Sequence, residues 1–156
     1  MNIRRQSLLG AAVLAVAGTT AWAQAAPKPE QLIKWRQSAY QVVAWNTGRI
    51  KASLEGSYNR DDVAKAAATI AALANAGLGA LFAPGSEQGK GWHDTSAKIE
   101  LFQNGARAGE LSAAFGREAN ELSRVASSGD AAAVKTQFAK LTGTCKGCHD
   151  EFRAKD

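Results

Sequence analysis

Apolar residues along the chain recur at steps of three and four positions, which is the spacing of amphipathic α-helices rather than of strands. Alanine is abundant and proline is rare after Pro29, and both features favour helix. The pattern predicts four helices, at about residues 29–54, 60–82, 94–125 and 131–152. Four amphipathic helices with mostly short connections predict an all-α fold, an antiparallel four-helix bundle.

Three of the predicted helices have a continuous inward-facing stripe of side chains. The stripe of the first helix consists of Leu32, Arg36, Tyr40, Val43, Thr47, Ile50 and Leu54. The third helix is expected to turn inward Ile99, Phe102, Ala106, Ala113, Leu122 and Val125, although glycines at 105, 109 and 116 are expected to bend or loosen it. The stripe of the last helix consists of Val134, Phe138, Leu141, Cys145, Cys148 and Phe152.

Two helix starts are marked by capping residues. Asn59 is expected to cap the second helix, whose positive end is also favoured by Asp61 and Asp62. Asp130, after the turn residues 127–129, is expected to cap the last helix.

The first 23 residues have the make-up of an export signal. Arg4 and Arg5 precede an apolar run at residues 8–18, which is too short to span a bilayer, and small residues follow at a cleavage site. The predicted division is a cleaved signal at residues 1–23 and one domain at residues 24–156, with cleavage before Ala26 as the alternative. The protein is therefore expected to be exported.

The charge of the chain excludes two classes of partner. The formal net charge is +5, and loss of Arg4 and Arg5 with the signal leaves 17 basic and 14 acidic residues, or +3. The basic residues are scattered without a dense run, so we expect no nucleic-acid binding. No later apolar stretch approaches the length of a membrane span, so we expect no membrane insertion.

The chemistry of the chain is concentrated in the segment TCKGCHDEFRAKD at its end. Cys145 and Cys148 lie on the buried stripe of the last helix, and His149 follows one turn after Cys145, so the three side chains leave the same side of the helix. Two sulfurs and an adjacent imidazole are the groups that attach a haem covalently and bind its iron from one face. The alternatives are a disulfide between the two cysteines and a zinc site, for which the only other histidine is His93.

The composition limits what could complete the coordination of such an iron. Met1 is the only methionine and leaves with the predicted signal, which excludes a His/Met pair. His93 lies in the hydrophilic segment GKGWHDTS, where a solvated histidine is the simpler interpretation. The sequence thus favours a five-coordinate iron with an open face, and the alternative is a low-spin, six-coordinate electron carrier that uses His93.

Four features together resemble cytochrome c′: an export signal, an RQ pair early in the first helix, a PG turn after the second helix, and the terminal CKGCHDEFRAKD. The resemblance extends over essentially the whole of residues 24–156. Cytochrome c′ is itself a standard example of the four-helix bundle, so the two expectations of the fold are not independent.

The resemblance implies a role for each residue of the motif. Cys145 and Cys148 would hold one haem c per chain, and His149 would be the proximal ligand and the only metal-binding residue. Arg36, with Gln37, would approach the haem propionates. An arginine on an apolar stripe needs an acidic partner, and no carboxylate lies one turn away; the alternative is that its stem extends to solvent.

The resemblance also implies a distal and a proximal neighbour. Tyr40 matches the position that shields the open face of the iron, and its alternative is a core tyrosine with its hydroxyl at the surface. Phe82 and Val43 would be walls of the pocket. Arg153 would lie near the proximal imidazole, and it could equally stabilise the negative end of the last helix.

The function implied by the resemblance is that of a bacterial periplasmic cytochrome that binds nitric oxide and carbon monoxide and is capable of one-electron transfer with an unknown redox partner. A homodimer through the first two helices is also implied. No acid/base pair accompanies Tyr40 on its stripe, so we expect no enzymatic activity.

Overall fold

The structure is a computed structural model, and it describes residues 26–155. The five α-helices and the single 3-10 helix of these residues are α1 (Pro29–Glu55), α2 (Arg60–Ala74), the 3-10 helix (Leu78–Phe82), α3 (Ile99–Gln103), α4 (Gly105–Ser128) and α5 (Ala131–Phe152). The long helices α1, α2, α4 and α5 form an antiparallel four-helix bundle, which confirms the predicted fold class. The predicted export signal lies outside the described residues.

Both predicted caps are confirmed. The side chain of Asn59 accepts a hydrogen bond from the Asp62 amide at 3.1 Å, and α2 begins at the next residue. The side chain of Asp130 accepts one from the Ala133 amide at 2.8 Å, and α5 begins directly after it. The starts of α2 and α5 are therefore both fixed by capping side chains that are adjacent in sequence.

The core lies between successive long helices, with α1 packed on α2, α2 on α4 and α4 on α5. The side chains that are fully buried there include Ile50, Val63, Ile70, Leu122, Val134 and Leu141. The pair α1 and α5 is not among the extensively packed pairs of described elements. The two helices that carry the predicted site residues are thus held in place by α2 and α4 rather than by each other.

The second helix was predicted to run to Phe82, and this is wrong. It ends at Ala74, because Asn75 caps it and Gly77 follows with a positive φ of 74°, a conformation that glycine adopts without strain. The chain then forms the separate 3-10 helix, which ends at Phe82. The apolar pattern continues through the break and therefore does not reveal it.

The third helix was predicted to begin near Asp94, and this is also wrong. Residues 94–98 are extended or irregular, α3 occupies only Ile99–Gln103, and Asn104 interrupts the helix before α4. The side chain of Asn104 accepts a hydrogen bond from the Arg107 amide at 3.3 Å and so caps α4. The bend expected at the glycines occurs as a break immediately before Gly105.

The single inward stripe was predicted for one unbroken helix, but the helix is interrupted at Asn104. Three residues expected to face inward are exposed instead: Ile99, Ala106 and Ala113. Leu122 is fully buried as expected. Val43, expected as a pocket wall, is buried as part of the core.

None of the helices found between residues 26 and 155 is both long enough and apolar enough to cross a membrane.

We predict that Leu122→Ala lowers the free energy of unfolding by about 2–5 kcal/mol, because Leu122 has no exposed surface and its loss leaves a cavity between α2 and α4. Urea unfolding followed by circular dichroism measures the change. Leu78→Ala, in the half-buried 3-10 helix, is the control and should cost less. An equal loss in both variants would contradict the assignment of Leu122 to the core.

Candidate haem site

The two cysteines lie one turn apart on α5, and both are free and half-buried. The Cys145 thiol donates a weak hydrogen bond to the Leu141 carbonyl at 3.6 Å. Burial raises the pKa of both thiols. No cluster of three or more metal-binding side chains occurs in the described part of the chain, so no zinc site of the alternative kind is found there.

His149 follows on the same helix, and its pKa is lowered by partial burial and then by the positive charge of Arg153, against a smaller opposing effect of Asp150. A lowered pKa favours the neutral imidazole, which is the form that binds a metal. The Arg153 amide donates to the His149 carbonyl at 3.1 Å, where α5 ends. The role expected for Arg153 beside the proximal ligand stays a prediction.

Tyr40 reaches this region from α1. Its ring packs against Phe82 with the ring centroids 6.3 Å apart, and 40% of the residue remains exposed. Burial, with smaller contributions from the Cys148 and Cys145 thiols, raises the pKa of Tyr40 to about 12. The fold thus brings Tyr40 close to the two cysteines, although more than a hundred residues separate them in sequence.

A second ring extends the pocket wall beyond Phe82. Phe102 of α3 lies with its ring centroid 6.2 Å from that of Phe82. Sequence analysis placed Phe102 on an inward stripe but did not assign it to the site, because nothing local shows that α3 approaches the 3-10 helix. Phe82 and Phe102 therefore form one aromatic wall beside Tyr40.

Arg36 is buried, with 4% of its surface exposed, and it forms no ion pair with any carboxylate of the described chain. Its guanidinium donates four hydrogen bonds, to the Leu81 carbonyl, the Ser86 hydroxyl, the Ser86 carbonyl and the Thr95 hydroxyl, at 3.2, 2.8, 2.6 and 2.6 Å. Burial lowers its pKa. The propionate role expected for Arg36 stays a prediction, and a propionate would have to share these donors.

Gln37 is held by the loop that follows the 3-10 helix. The Gln37 side-chain oxygen accepts from the Trp92 amide at 2.7 Å, and its nitrogen donates to the His93 carbonyl at 2.9 Å. The His93 side chain is exposed, and its Nδ1 lies 2.8 Å from the Asp94 carbonyl. His93 thus belongs to a solvent-exposed loop packed on α1.

The arrangement of these residues suits a porphyrin. Two free, half-buried thiols and a histidine that favours its neutral form project from one helix. Tyr40 of α1 interacts with both thiols, and its ring packs against Phe82, which packs against Phe102. The helices that carry the thiols and Tyr40 are not closely packed on each other, which allows a flat apolar group between them. The donor set is that of a covalently attached haem, and the residues fit it.

Comparison with known proteins also indicates a haem protein. The family model described as cytochrome c′ matches residues 31–153. The cytochrome c′ of Rhodocyclus tenuis is 61% identical over 130 residues, which cover 83% of this chain and 98% of that protein. A solved cytochrome c′ described as having an unusual ligand-controlled dimer dissociation is 46% identical, with a TM-score of 0.81 over 84% of this chain and all of that one.

A further solved relative contains bound nitric oxide. A ferrous variant of the cytochrome c′ of Alcaligenes xylosoxidans with bound NO is 28% identical, with a TM-score of 0.74 over 85% of this chain and all of that one.

A four-helix bundle whose last helix carries Cys-x-x-Cys-His defines a class, the helical-bundle c-type cytochromes. Within that class the chain belongs to the cytochrome c′ family, whose haem c is covalently attached.

We predict that Tyr40 makes the stability of the folded protein sensitive to alkaline pH. The folded pKa of about 12 lies above the ordinary value of 10.0, so the folded state keeps a proton that the unfolded chain loses. Its contribution is complete below pH 10 and is lost as the pH rises through 12. Urea unfolding across this window should show a smaller loss for Tyr40→Phe than for the unmodified protein. The tyrosinate absorbance that is lost in Tyr40→Phe is the signal of Tyr40. If this signal titrates near pH 10 in the unmodified protein, the assignment is contradicted.

Proposed function

We propose that this protein is a gas-binding cytochrome with a five-coordinate, high-spin haem, and that it is also capable of one-electron transfer. Cys145 and Cys148 attach the haem, and His149 is the single protein ligand of its iron. The observation that carries the proposal is the placement of the Tyr40 ring close to both cysteines. When bound, the haem supplies an iron that takes up nitric oxide or carbon monoxide and exchanges one electron.

The chain's contribution on the proximal side is electrostatic. Partial burial and the charge of Arg153 keep His149 neutral and able to ligate. The same charge disfavours additional positive charge at the neighbouring ligand site, so Arg153 weakens the hold of the imidazole as well as orienting the end of α5.

The distal contribution is steric. Burial disfavours the phenolate of Tyr40, the form in which tyrosine ligates iron, so Tyr40 occupies its site as a neutral ring. The ring of Phe82 packs against the Tyr40 ring. A small, strongly binding gas could displace such a side chain. A ligand that needs polar stabilisation finds only one hydrogen-bonding group on this side chain, the Tyr40 hydroxyl.

The low-spin alternative requires His93 to enter the pocket, and its contacts favour the five-coordinate state. His93 is exposed on a loop, and its Nδ1 faces the Asp94 carbonyl at 2.8 Å and Gln37 at 3.3 Å. Use of His93 as a ligand would require release of the loop from Gln37.

A homodimer follows from the relatives and from the surface of α1. One solved relative is described by ligand-controlled dimer dissociation. Trp35, Val42 and Trp45 recur along the outer side of α1 with 45%, 40% and 63% of their surface exposed, and Trp92 joins them through its hydrogen bond to Ser38 at 2.9 Å. Tyr40 lies on the same helix, so its displacement could disturb the dimer.

Two further parts of the proposal concern location and chemistry. Residues 1–23 support export to the bacterial periplasm, where such a protein would sequester nitric oxide. No carboxylate accompanies Tyr40 on its stripe of α1, so no acid/base pair is visible beside it in the sequence, and the protein is proposed to bind rather than to catalyse.

We predict that the ferrous protein shows a high-spin absorption spectrum that changes when nitric oxide is added. The protein is produced with its own export segment and is then titrated with nitric oxide in the absence of oxygen. Cys145→Ala with Cys148→Ala should abolish covalent haem, which is measured by haem staining after denaturation, because no other cysteine is present. A low-spin spectrum that becomes high-spin in His93→Ala would favour the alternative instead.

We predict that Tyr40→Ala accelerates binding of carbon monoxide and that Tyr40→Phe does not, because the proposed barrier is the ring and not the hydroxyl. If displacing the ring costs about 1.4 kcal/mol of activation free energy, the acceleration is about tenfold, measured by stopped-flow absorbance. Tyr58→Phe, in the turn between α1 and α2, is the control. Equal rates for Tyr40→Ala and the unmodified protein would contradict a shielding role.

A further inference from the structure

The loop of residues 83–98, termed here the 83–98 connection, contacts both α1 and the end of α5. We propose that Arg36 is a positioning residue that holds this connection and, through it, fixes the part of α5 that carries His149 and Arg153. The inference rests on the proposed function only in taking His149 as the iron ligand. It gives the α1 side and the α5 side of the pocket a direct mechanical link.

The first link runs from α1 to the connection. One terminal nitrogen of Arg36 donates to the Ser86 hydroxyl at 2.8 Å, and the other donates to the Thr95 hydroxyl at 2.6 Å. Ser86 and Thr95 lie near opposite ends of the connection, so one guanidinium holds both ends. The planar, five-donor group of arginine can do this, whereas the single ammonium of lysine cannot reach the same set.

Burial makes this link costly to break. Ser86 has no exposed surface, and its hydroxyl also donates to the Ala83 carbonyl at 2.8 Å. Loss of Arg36 would leave the Ser86 carbonyl without its 2.6 Å donor in a site closed to water. The rings of Phe82 and Phe102 cover the cation at 5.0 and 5.9 Å, which fixes the guanidinium further.

The second link runs from Thr95 to α5. The Thr95 hydroxyl accepts from the Ala97 amide at 3.2 Å. On either side of Ala97, the Lys98 amide donates to the Phe152 carbonyl at 2.9 Å, and the Ala154 amide donates to the Ser96 carbonyl at 2.8 Å. These two bonds enclose Arg153, whose own amide bonds to the His149 carbonyl. Hydrogen bonds joined by short stretches of backbone thus connect Arg36 to the backbone of His149.

Other contacts restrain the same regions but do not make this link. Arg107 of α4 pairs with Glu151 through its Nε and one terminal nitrogen at 2.6–3.2 Å, which ties α5 to α4. Gly91 lies so close to α1 that a Cβ atom would approach the Lys34 amide nitrogen to 2.9 Å, which ties the connection to α1 but not to α5. Thr95 is the residue of the 83–98 connection whose hydroxyl contacts Arg36 and also the Ala97 amide, next to the residues bonded to the end of α5.

The position of Arg36 on α1 gives the link its consequence. Arg36 is one turn before Tyr40, on the same side of the helix. A shift of this turn when a gas displaces Tyr40 would move the guanidinium, and the connection would transmit the movement to His149 and Arg153. A propionate partner for Arg36 would involve no such role for Thr95, so the two roles predict different behaviour of a Thr95 variant.

The test uses Thr95→Val in the haem-loaded protein, because valine keeps the shape of threonine and removes the hydroxyl that serves Arg36 and Ala97. Thr47→Val on α1 is the matched control, since the Thr47 hydroxyl bonds only to the Val43 carbonyl of its own helix, at 2.8 Å. Hydrogen exchange followed by mass spectrometry is measured for residues 96–98 and 153–155. We expect exchange about tenfold faster in Thr95→Val and unchanged in Thr47→Val. Unchanged exchange in Thr95→Val would overturn the proposal.

A second measurement uses Arg36→Lys and Arg36→Gln. Lysine keeps the charge that a propionate needs, so a purely ionic role predicts normal hydrogen exchange in Arg36→Lys. Normal exchange in this variant would also overturn the proposal. A positioning role predicts faster exchange in both variants. The iron–histidine stretching band of the ferrous protein, measured by resonance Raman, should shift in Thr95→Val and not in Thr47→Val. Absence of this band in the unmodified protein would refute His149 as ligand and hence the proposed function, while the exchange data would still decide the anchoring. If the Arg36 variants do not fold, Thr95→Val decides alone.

Discussion

The burial of the Arg36 cation, which has no carboxylate partner among the described residues, is the constraint that organises the pocket. A charge in such a position must be met by hydrogen-bond acceptors, and in this fold the acceptors are oxygens of the 3-10 helix and the 83–98 connection. The residues between α2 and α3 are therefore drawn onto α1 instead of extending into solvent. Phe82, which follows Leu81, is placed beside Tyr40 as a result.

The bundle separates stability from function. Helices α2 and α4 provide most of the packed interface, and they position α1 and α5 without requiring those two helices to pack closely on each other. A pocket for a flat, apolar cofactor can therefore exist without a cavity in the core, where it would be costly. The two cysteines lie on α5 and Tyr40 lies on α1, so movement on one side need not unfold the other.

Different parts of the chain tune the two sides of this pocket. On α5 the charge of Arg153 and the burial of His149 act on the same imidazole, and both favour its neutral form. On α1 burial acts on the phenol of Tyr40 and favours its protonated form. Both effects favour the uncharged form of a side chain that faces the space between α1 and α5.

The sequence alone determined the features that depend on residues close in the chain. The four long helices, the caps at Asn59 and Asp130, and the Cys145–Cys148–His149 group follow from helical spacing and capping chemistry, which act within a few residues. The tertiary structure decided the end of α2 at Ala74, the break at Asn104, the exposure of Ile99 and the four acceptors of Arg36. The apolar pattern continues across both breaks, and the partners of Arg36 lie 45–59 residues away, so only the folded chain brings these groups together.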